Sequence, residues 1–324
     1  MKAPPVSRIS PPDLNSLMAL LDVEVVALSE CVVNEGYRLE LGGNEAPGIH
    51  YILKGKGRMS FNGAPKINVE PHILIVVPPH TPFILESNSG NASRPIIGVE
   101  GSKNVTTSDG IRRFRAGDDD DEPEMVMICG YFRAQYGSST GLFEGLVEPI
   151  VEQFTVADRL YDKLNSAVDE LLNQEIGAGA MSSALLKQVV VALLRRSLTS
   201  INTWVERFAL LSDPKVARAF SMMVGNPGAN HTVESLADCA FLSRSAFMAR
   251  FSSVVGKSPM AVLRDLRMRQ AAAQLKAGSH TIEAVVANAG YESRSSFART
   301  FKKIYGVDPS AYRETALAEE KTAG

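Results

Sequence analysis
The sequence predicts an α+β protein: an antiparallel β barrel or sandwich, a helical hairpin, and an all-α region of two helix-turn-helix units joined by a long helix. Three observations predict it. Short apolar, β-branched stretches alternate with turn signals through the first half. The apolar period becomes helical after residue 155. One motif occurs twice between residues 213 and 313.

Composition frames these parts. A chain of 324 residues has room for two compact units, and 45% hydrophobic with 22% charged residues is ordinary for a globular protein with packed cores. No apolar run approaches the ~20 residues of a bilayer span, and the opening MKAPPVSRISPPDL has no secretory core. A cytoplasmic protein with no membrane partner is expected. Cys31, Cys129 and Cys239 lie far apart without a CxxC or Cys/His cluster, which reads as buried small side chains rather than a disulfide framework or zinc site. The net charge of -2 conceals opposite halves: residues 214–313 hold 14 Lys and Arg against 6 Asp and Glu, and residues 1–213 hold 19 against 27. A basic segment joined to an acidic one suits a nucleic-acid reader attached to another module, or a solvated basic surface.

The strand signals come first. Gly48 to Leu53, Arg58 to Phe61, His72 to Val77 and Pro82 to Leu85 are separated by turn residues at Lys54-Gly55-Lys56-Gly57, Asn62-Gly63 and Pro78-Pro79. From Gly101 to Glu124 the apolar pattern disappears, and the five acids Asp118 to Glu122 read as a solvated loop. Strand character returns at Met125 to Phe132. Two amphipathic helices follow, Val156 to Glu175 and Ser182 to Leu198, with Val156, Leu160, Leu164, Val168, Leu171 and Leu172 on the first and Leu185, Leu186, Val189, Val190, Leu193 and Leu194 on the second. The break Ile176-Gly177-Ala178-Gly179-Ala180 turns the chain back. This hairpin packs on its own barrel or against the partner of a homodimer. At Leu211-Ser212-Asp213-Pro214, Asp213 caps the helix that Pro214 opens.

The duplication carries the most information. Ser245, Phe247, Phe251, Gly256 and Pro259 recur 50 positions later as Ser295, Phe297, Phe301, Gly306 and Pro309. Thr232-Val233-Glu234-Ser235-Leu236 pairs with Thr281-Ile282-Glu283-Ala284-Val285 at a shift of 49, so the second copy has one extra residue in its turn. Each copy reads as a capped helix, a tight turn (Ala240-Phe241-Leu242 or Ala289-Gly290-Tyr291) and a second helix begun by Ser243 or Ser293. In this arrangement the first helix braces the second, whose N-terminal residues address base edges in the major groove. The four phenylalanines form the inner face. Candidate DNA contacts are Ser243, Arg244, Ser245, Met248 and Arg250 in the first copy, and Arg294, Ser295, Ser296, Arg299 and Lys302 in the second. Arg can grip guanine with two hydrogen bonds, Ser can donate or accept, and basic side chains at the edges meet phosphates. Met248 and Ala249 offer only apolar contacts, so the second copy is expected to supply more of the hydrogen-bonded readout. Met260 to Ala277 is a connecting helix that would set two readers in successive major-groove segments, about 34 Å apart.

These residues resemble the AraC/XylS family of bacterial transcription regulators. The resemblance is carried by Gly290-Tyr291-Glu292-Ser293-Arg294-Ser295-Ser296-Phe297-Ala298-Arg299-Thr300-Phe301-Lys302 and Gly306-Val307-Asp308-Pro309-Ser310-Ala311-Tyr312-Arg313. In the first copy it rests on Leu236-Ala237, Leu242-Ser243-Arg244-Ser245, Phe247, Arg250-Phe251 and Gly256. Phe241 stands where the family usually has Gly, and Ala249 where it often has Arg. His50 to Gly57, Pro78 to Pro82 and Cys129-Gly130-Tyr131-Phe132 look like the family's N-terminal cupin-like domain. The resemblance implies a cupin-like sensing domain (1–155), a hairpin and linker that can dimerise (156–212), a double helix-turn-helix DNA-binding domain (213–313) and a tail (314–324). It further implies double-stranded DNA, a small-molecule effector and a second copy of the chain as partners, with RNA polymerase as a further candidate.

Enzymatic signals are sparse. Some cupins are metal enzymes, but only His50, His72 and His80 lie in this domain, no HxH pair occurs, and Pro71-His72 replaces the usual Gly-Asp turn. No Ser/His/Asp order, phosphate loop or dinucleotide fingerprint stands out. No catalytic residue, metal or cofactor is therefore expected; the competing reading is a metal-dependent cupin enzyme with a vestigial DNA-binding tail. His50 and His80 are the candidate contacts for a small organic ligand in a largely apolar barrel.

Overall fold
The structure is a computed structural model describing residues 9–61, 65–87, 95–108, 111–118, 121–136, 140–143, 145–173, 176–196, 198, 210 and 213–322. The Asn62-Gly63 turn and the Leu211-Ser212 boundary lie outside the described residues. The chain divides into two units, Asp22–Ala134 with Gly141–Trp204, and Met1–Leu21 with Gln135–Thr140 and Val205–Gly324.

The first unit is built on strands β1 (Asp22–Val33), β2 (Tyr37–Leu41), β3 (Gly48–Lys54), β4 (Gly57–Phe61), β5 (Ile67–Val69), β6 (Ile73–Val77), β7 (Phe83–Ser87), β8 (Ile97–Glu100), β9 (Val105–Ser108), β10 (Ile111–Ala116), β11 (Met125–Tyr136), β12 (Thr140–Gly141) and β13 (Ile150–Gln153). Among the described residues one sheet runs β13-β6-β3-β11-β1-β10-β9 with β12 beside β11, and the other runs β5-β4-β7-β2-β8. Successive side chains of a strand point to opposite faces. Ile52, Met59, Phe61, Ile75, Val77, Phe83, Leu85, Met125, Met127 and Cys129 accordingly meet in one buried core. All five residues of β6 are buried, which explains its unbroken apolar run.

Several expectations are corrected here. The sheets are not wholly antiparallel: β1 pairs in parallel with β10, and β2 with β8. The apparently patternless stretch after Gly101 contains β9 and β10, because Arg113 of β10 pairs outward with Glu30 at 2.5 Å while Phe114 packs on the core. Glu122 of the acidic run holds Lys54 at 2.6 Å. Cys31 and Cys129 are buried as expected, but they are joined in a disulfide between neighbouring strands of one sheet, with Cys239 left free. Sequence spacing could not reveal that pairing, because it is made by β1 and β11 meeting as sheet neighbours.

The hairpin follows as α2 (Leu160–Asn173) and α3 (Ala178–Arg196). Val156 sits in a one-turn 3₁₀ helix ahead of α2 and is 74% exposed, so it does not belong to the inner stripe. Leu160, Leu164, Leu186, Val189, Val190, Leu193 and Leu194 are buried; the side chains of Val168, Leu171 and Leu172 lie outside the description. Against the expectation of no span-like run, α3 has the length and hydropathy of one. It is nevertheless tied to the sheet, where the Ser183 hydroxyl accepts a hydrogen bond from the Val25 amide at 3.1 Å.

The second unit is helical: α1 (Pro11–Leu20), α4 (Pro214–Gly225), α5 (Val233–Cys239), α6 (Arg244–Val255), α7 (Pro259–Lys276), α8 (Ile282–Asn288), α9 (Arg294–Tyr305) and α10 (Pro309–Thr322). Helix α1, capped by Ser10, buries Leu14 and Leu17 and packs on α4. It groups with the helical unit. Asp213 caps α4 by accepting from the Val216 amide at 3.2 Å.

Candidate nucleic-acid interface
The duplicated motif folds as two helix-turn-helix units, α5–α6 and α8–α9, and local chemistry makes them alike. Thr232 and Thr281 cap the first helices, and Ser243 and Ser293 cap the second. The turns use matching backbone bonds: Phe241 to Asp238 and Leu242 to Ala237 in one copy, Gly290 to Ala287 and Tyr291 to Val286 in the other. Phe241 and Gly290 occupy equivalent left-handed positions at φ 53° and 69°. Gly290 has no alternative there, because a Cβ would stand 2.5 Å from the Gly228 carbonyl oxygen. Phe241 instead points outward, 71% exposed, beneath the Arg218 guanidinium at 5.1 Å. Each second helix ends at a left-handed glycine, Gly256 or Gly306.

The inner faces are settled by Phe247, Phe251, Phe297 and Phe301, all fully buried. The opposite faces hold the candidates. Arg244, Ser245 and Ala249 are exposed and Met248 is half-buried; Arg294, Ser295, Arg299 and Lys302 are exposed and Ser296 is half-buried. Not all of them are equally available. The Ser243 hydroxyl accepts from the Ala246 amide at 3.4 Å as a cap. Arg250 donates to Asp213, the cap of α4, which ties its guanidinium to the start of that helix. Lys302 pairs with Asp308 at 2.9 Å. Arg299 bonds weakly to the Ser295 carbonyl at 3.4 Å. Arg244 and Arg294 are paired with Glu234 and Glu283. Sequence reasoning missed those glutamates as functional groups, although both stood in the aligned repeat.

The connector α7 has 18 residues and so rises ~27 Å. Arg267 near its middle donates through Nε to the Pro227 carbonyl and through Nη2 to the Ala229 carbonyl, each at 2.9 Å, and lies over the Tyr291 ring. It joins the loop after α4 to the turn of the second copy.

In the β unit, His50 and His80 do not share an environment. His50 is fully buried beside Phe83, with ring centroids 4.5 Å apart, and neither ring nitrogen has a hydrogen-bond partner. Burial pulls its pKa down to about 3, so the ring is neutral. His80 is exposed on the turn before β7. His72 bonds the Tyr51 hydroxyl through Nδ1 at 2.7 Å. Among the described residues no three His, Cys, Asp or Glu side chains form a group that could hold a metal ion.

Two protein families match the chain. Residues 13–199 match the cupin family and residues 236–315 the helix-turn-helix domain family. A putative AraC-like transcription regulator of Streptomyces lividans is 31% identical over 215 residues, 64% of this chain and 67% of the relative. The RCS-specific HTH-type transcriptional activator RclR of Escherichia coli K12 is 29% identical over 197 residues, 60% of this chain and 69% of that one. Among solved structures, the DNA-binding domain of AdpA in complex with a target DNA is 28% identical, covering 32% of this chain and 95% of that one with a TM-score of 0.32.

Proposed function
The chain belongs to the AraC/XylS family of transcription regulators, and on that premise we propose a mechanism in which its paired helix-turn-helix units dock on one duplex under the control of an effector bound by the cupin domain. The single observation carrying the DNA-binding reading is the duplication itself: two helices, each with phenylalanines inward and Arg and Ser exposed at its N-terminal end. In helix-turn-helix proteins that end addresses the major groove.

Within this reading Ser245, Ser295, Ser296 and Arg299 contact bases, Met248 meets a thymine methyl, and Ser243 and Lys302 face the backbone. Arg250 acts through Asp213, holding α6 against α4. An effector in the barrel takes His50 as its polar contact, since a buried imidazole with two unpaired nitrogens is costly without a partner; His80 would meet only a ligand at the surface. The effector acts by binding one arrangement of the protein better than another. The barrel performs no catalysis in this account. The working unit is a cytoplasmic homodimer acting with RNA polymerase at promoters. Dimerisation is supported by the apolar side chains the hairpin leaves outside, Tyr161, Ile176 and Met181; Leu164, Val189 and Leu193 serve the internal core.

The test is binding of the full chain to DNA upstream of its own gene against a scrambled duplex, titrated over salt. A preference of about a thousandfold or more supports the reading. Equal affinity for the two duplexes and for every genomic fragment counts against it.

A further inference from the structure
Both recognition helices begin with an arginine, and in both copies a glutamate from the bracing helix holds it. Arg244 Nη1 lies 2.9 Å from Glu234 Oε1, and Arg294 Nη1 lies 2.7 Å from Glu283 Oε1. The four side chains are between 59% and 69% exposed. One such surface pair would carry no meaning, since exposed ion pairs contribute little to stability. The same pair at the same place in both halves of a duplication is a different observation. So much else on these surfaces differs, Ala249 against Arg299 and Met248 against Ala298, that retention of this contact points to a shared use.

The location indicates which use. A cation in the first turn of a helix is at the unfavourable end of the helix dipole, so α6 and α9 do not themselves hold their arginines. Each glutamate sits in the first turn of α5 or α8, the helices that cross the DNA backbone when such a unit docks. A guanidinium anchored there stands at the backbone rather than over base edges. A phosphate offers the guanidinium the same paired oxygens as a carboxylate, and the head of the recognition helix favours it further.

We propose that Arg244–Glu234 and Arg294–Glu283 are two copies of one exchange site, in which each arginine clamps a backbone phosphate of the duplex and releases the glutamate that occupied it in the free protein. This rests on the DNA-binding reading above. It removes both arginines from base readout and makes the glutamates a brake: DNA binding is measured against an internal carboxylate, and each freed carboxylate is left beside the polyanion. The brake is indifferent to sequence.

The experiment measures affinity of the full chain and of the E234Q, E283Q and R294A variants for the upstream duplex and for a scrambled duplex over salt, with D238N as a control for a lost charge elsewhere on α5. Melting curves confirm that each variant is folded. E234Q and E283Q should each tighten binding to both duplexes by about two- to fivefold, more than D238N does, with the preference between duplexes unchanged. The salt dependence should steepen by up to about one phosphate contact per site. R294A should weaken both duplexes equally and shrink the effect of E283Q. Gains no larger than that of D238N, or a change of sequence preference in R294A, overturn the proposal. A parent protein that binds neither duplex removes the DNA-binding reading itself, and the exchange with it.

Discussion
Arg267 Nε donates to the Pro227 carbonyl at 2.9 Å, and through this bond the connecting helix grips the loop that leads into the first reading unit. The same guanidinium reaches the Ala229 carbonyl and lies 6.0 Å from the centroid of the Tyr291 ring. One planar fork therefore holds pieces of both copies. Burial lowers its pKa, yet a group that starts this basic stays charged, so its bonds remain charge-assisted.

Arg267→Ala should cost about 1–3 kcal/mol of stability through two lost bonds to a charged donor. Its larger effect should be on recognition. A reader whose halves are no longer fixed keeps its phosphate contacts and loses simultaneous engagement, so affinity for the specific site should drop more than affinity for scrambled DNA. Equal losses on both would show that Arg267 serves stability alone.

The two turn positions with positive φ should respond unequally to substitution. Gly290→Ala places a methyl group against the Gly228 carbonyl and forces a left-handed Ala; a loss of about 1–3 kcal/mol is expected in denaturant unfolding. Phe241→Gly relieves backbone strain and gives up the ring under Arg218, two terms of about 1 kcal/mol that nearly cancel. A large loss at Phe241 would mean that the aromatic contact does more than shield an exposed turn.

The same contrast shows what was legible in the sequence. The helix-turn-helix core could be read because its phenylalanines obey a helical period and occur twice. The hairpin could be read by its helical period at Leu160, Leu164, Leu186, Val189, Val190, Leu193 and Leu194, which are buried, but not at Val156, which the chain places before the helix begins. Strand β10 could not: in Ile111–Ala116 three arginines hide a strand whose pairing with β1 comes from a segment about 80 residues away in the chain. Nor could the Arg250–Asp213 pair, separated by 37 positions and made only when α6 packs beside α4. His50 was legible as a candidate polar group, but its burial without a partner is a property of the packed β unit.

His50 gives the β unit a definite pH dependence. Its folded pKa of about 3 lies below the ordinary imidazole value of 6.5, so between these values the unfolded chain binds a proton that the folded chain refuses. Stability is therefore fully present above pH 6.5 and is lost as pH falls toward 3, by up to about 5 kcal/mol. Denaturant midpoints at pH 7, 5.5 and 4 should fall more steeply for the parent than for His50→Leu. Parallel curves would mean that the imidazole finds a partner in solution.

The Cys31–Cys129 disulfide spans 98 positions, and in the chain-entropy view a loop of that length restrains the unfolded state by about 4–5 kcal/mol. Reduction should lower the unfolding midpoint of the β unit by a corresponding amount, and Cys31→Ser should reproduce the reduced value without reductant. If oxidised and reduced protein unfold at the same denaturant concentration, the bond is not formed in solution.

The hairpin offers the clearest test of assembly, because its two apolar surfaces are physically distinct. Leu164 and Leu193 are 1% exposed, so a charge there is an unpaired buried charge and should unfold the unit whatever its oligomeric state. Ile176 is 99% exposed and Met181 51%; aspartate at both positions costs the monomer almost nothing, yet would place charge at the centre of an interface. The double substitution should therefore leave the melting profile of dilute protein unchanged and shift its sedimentation from dimer to monomer. If the mass stays dimeric, the contact between copies lies elsewhere on the chain, and these side chains are merely tolerated at the surface.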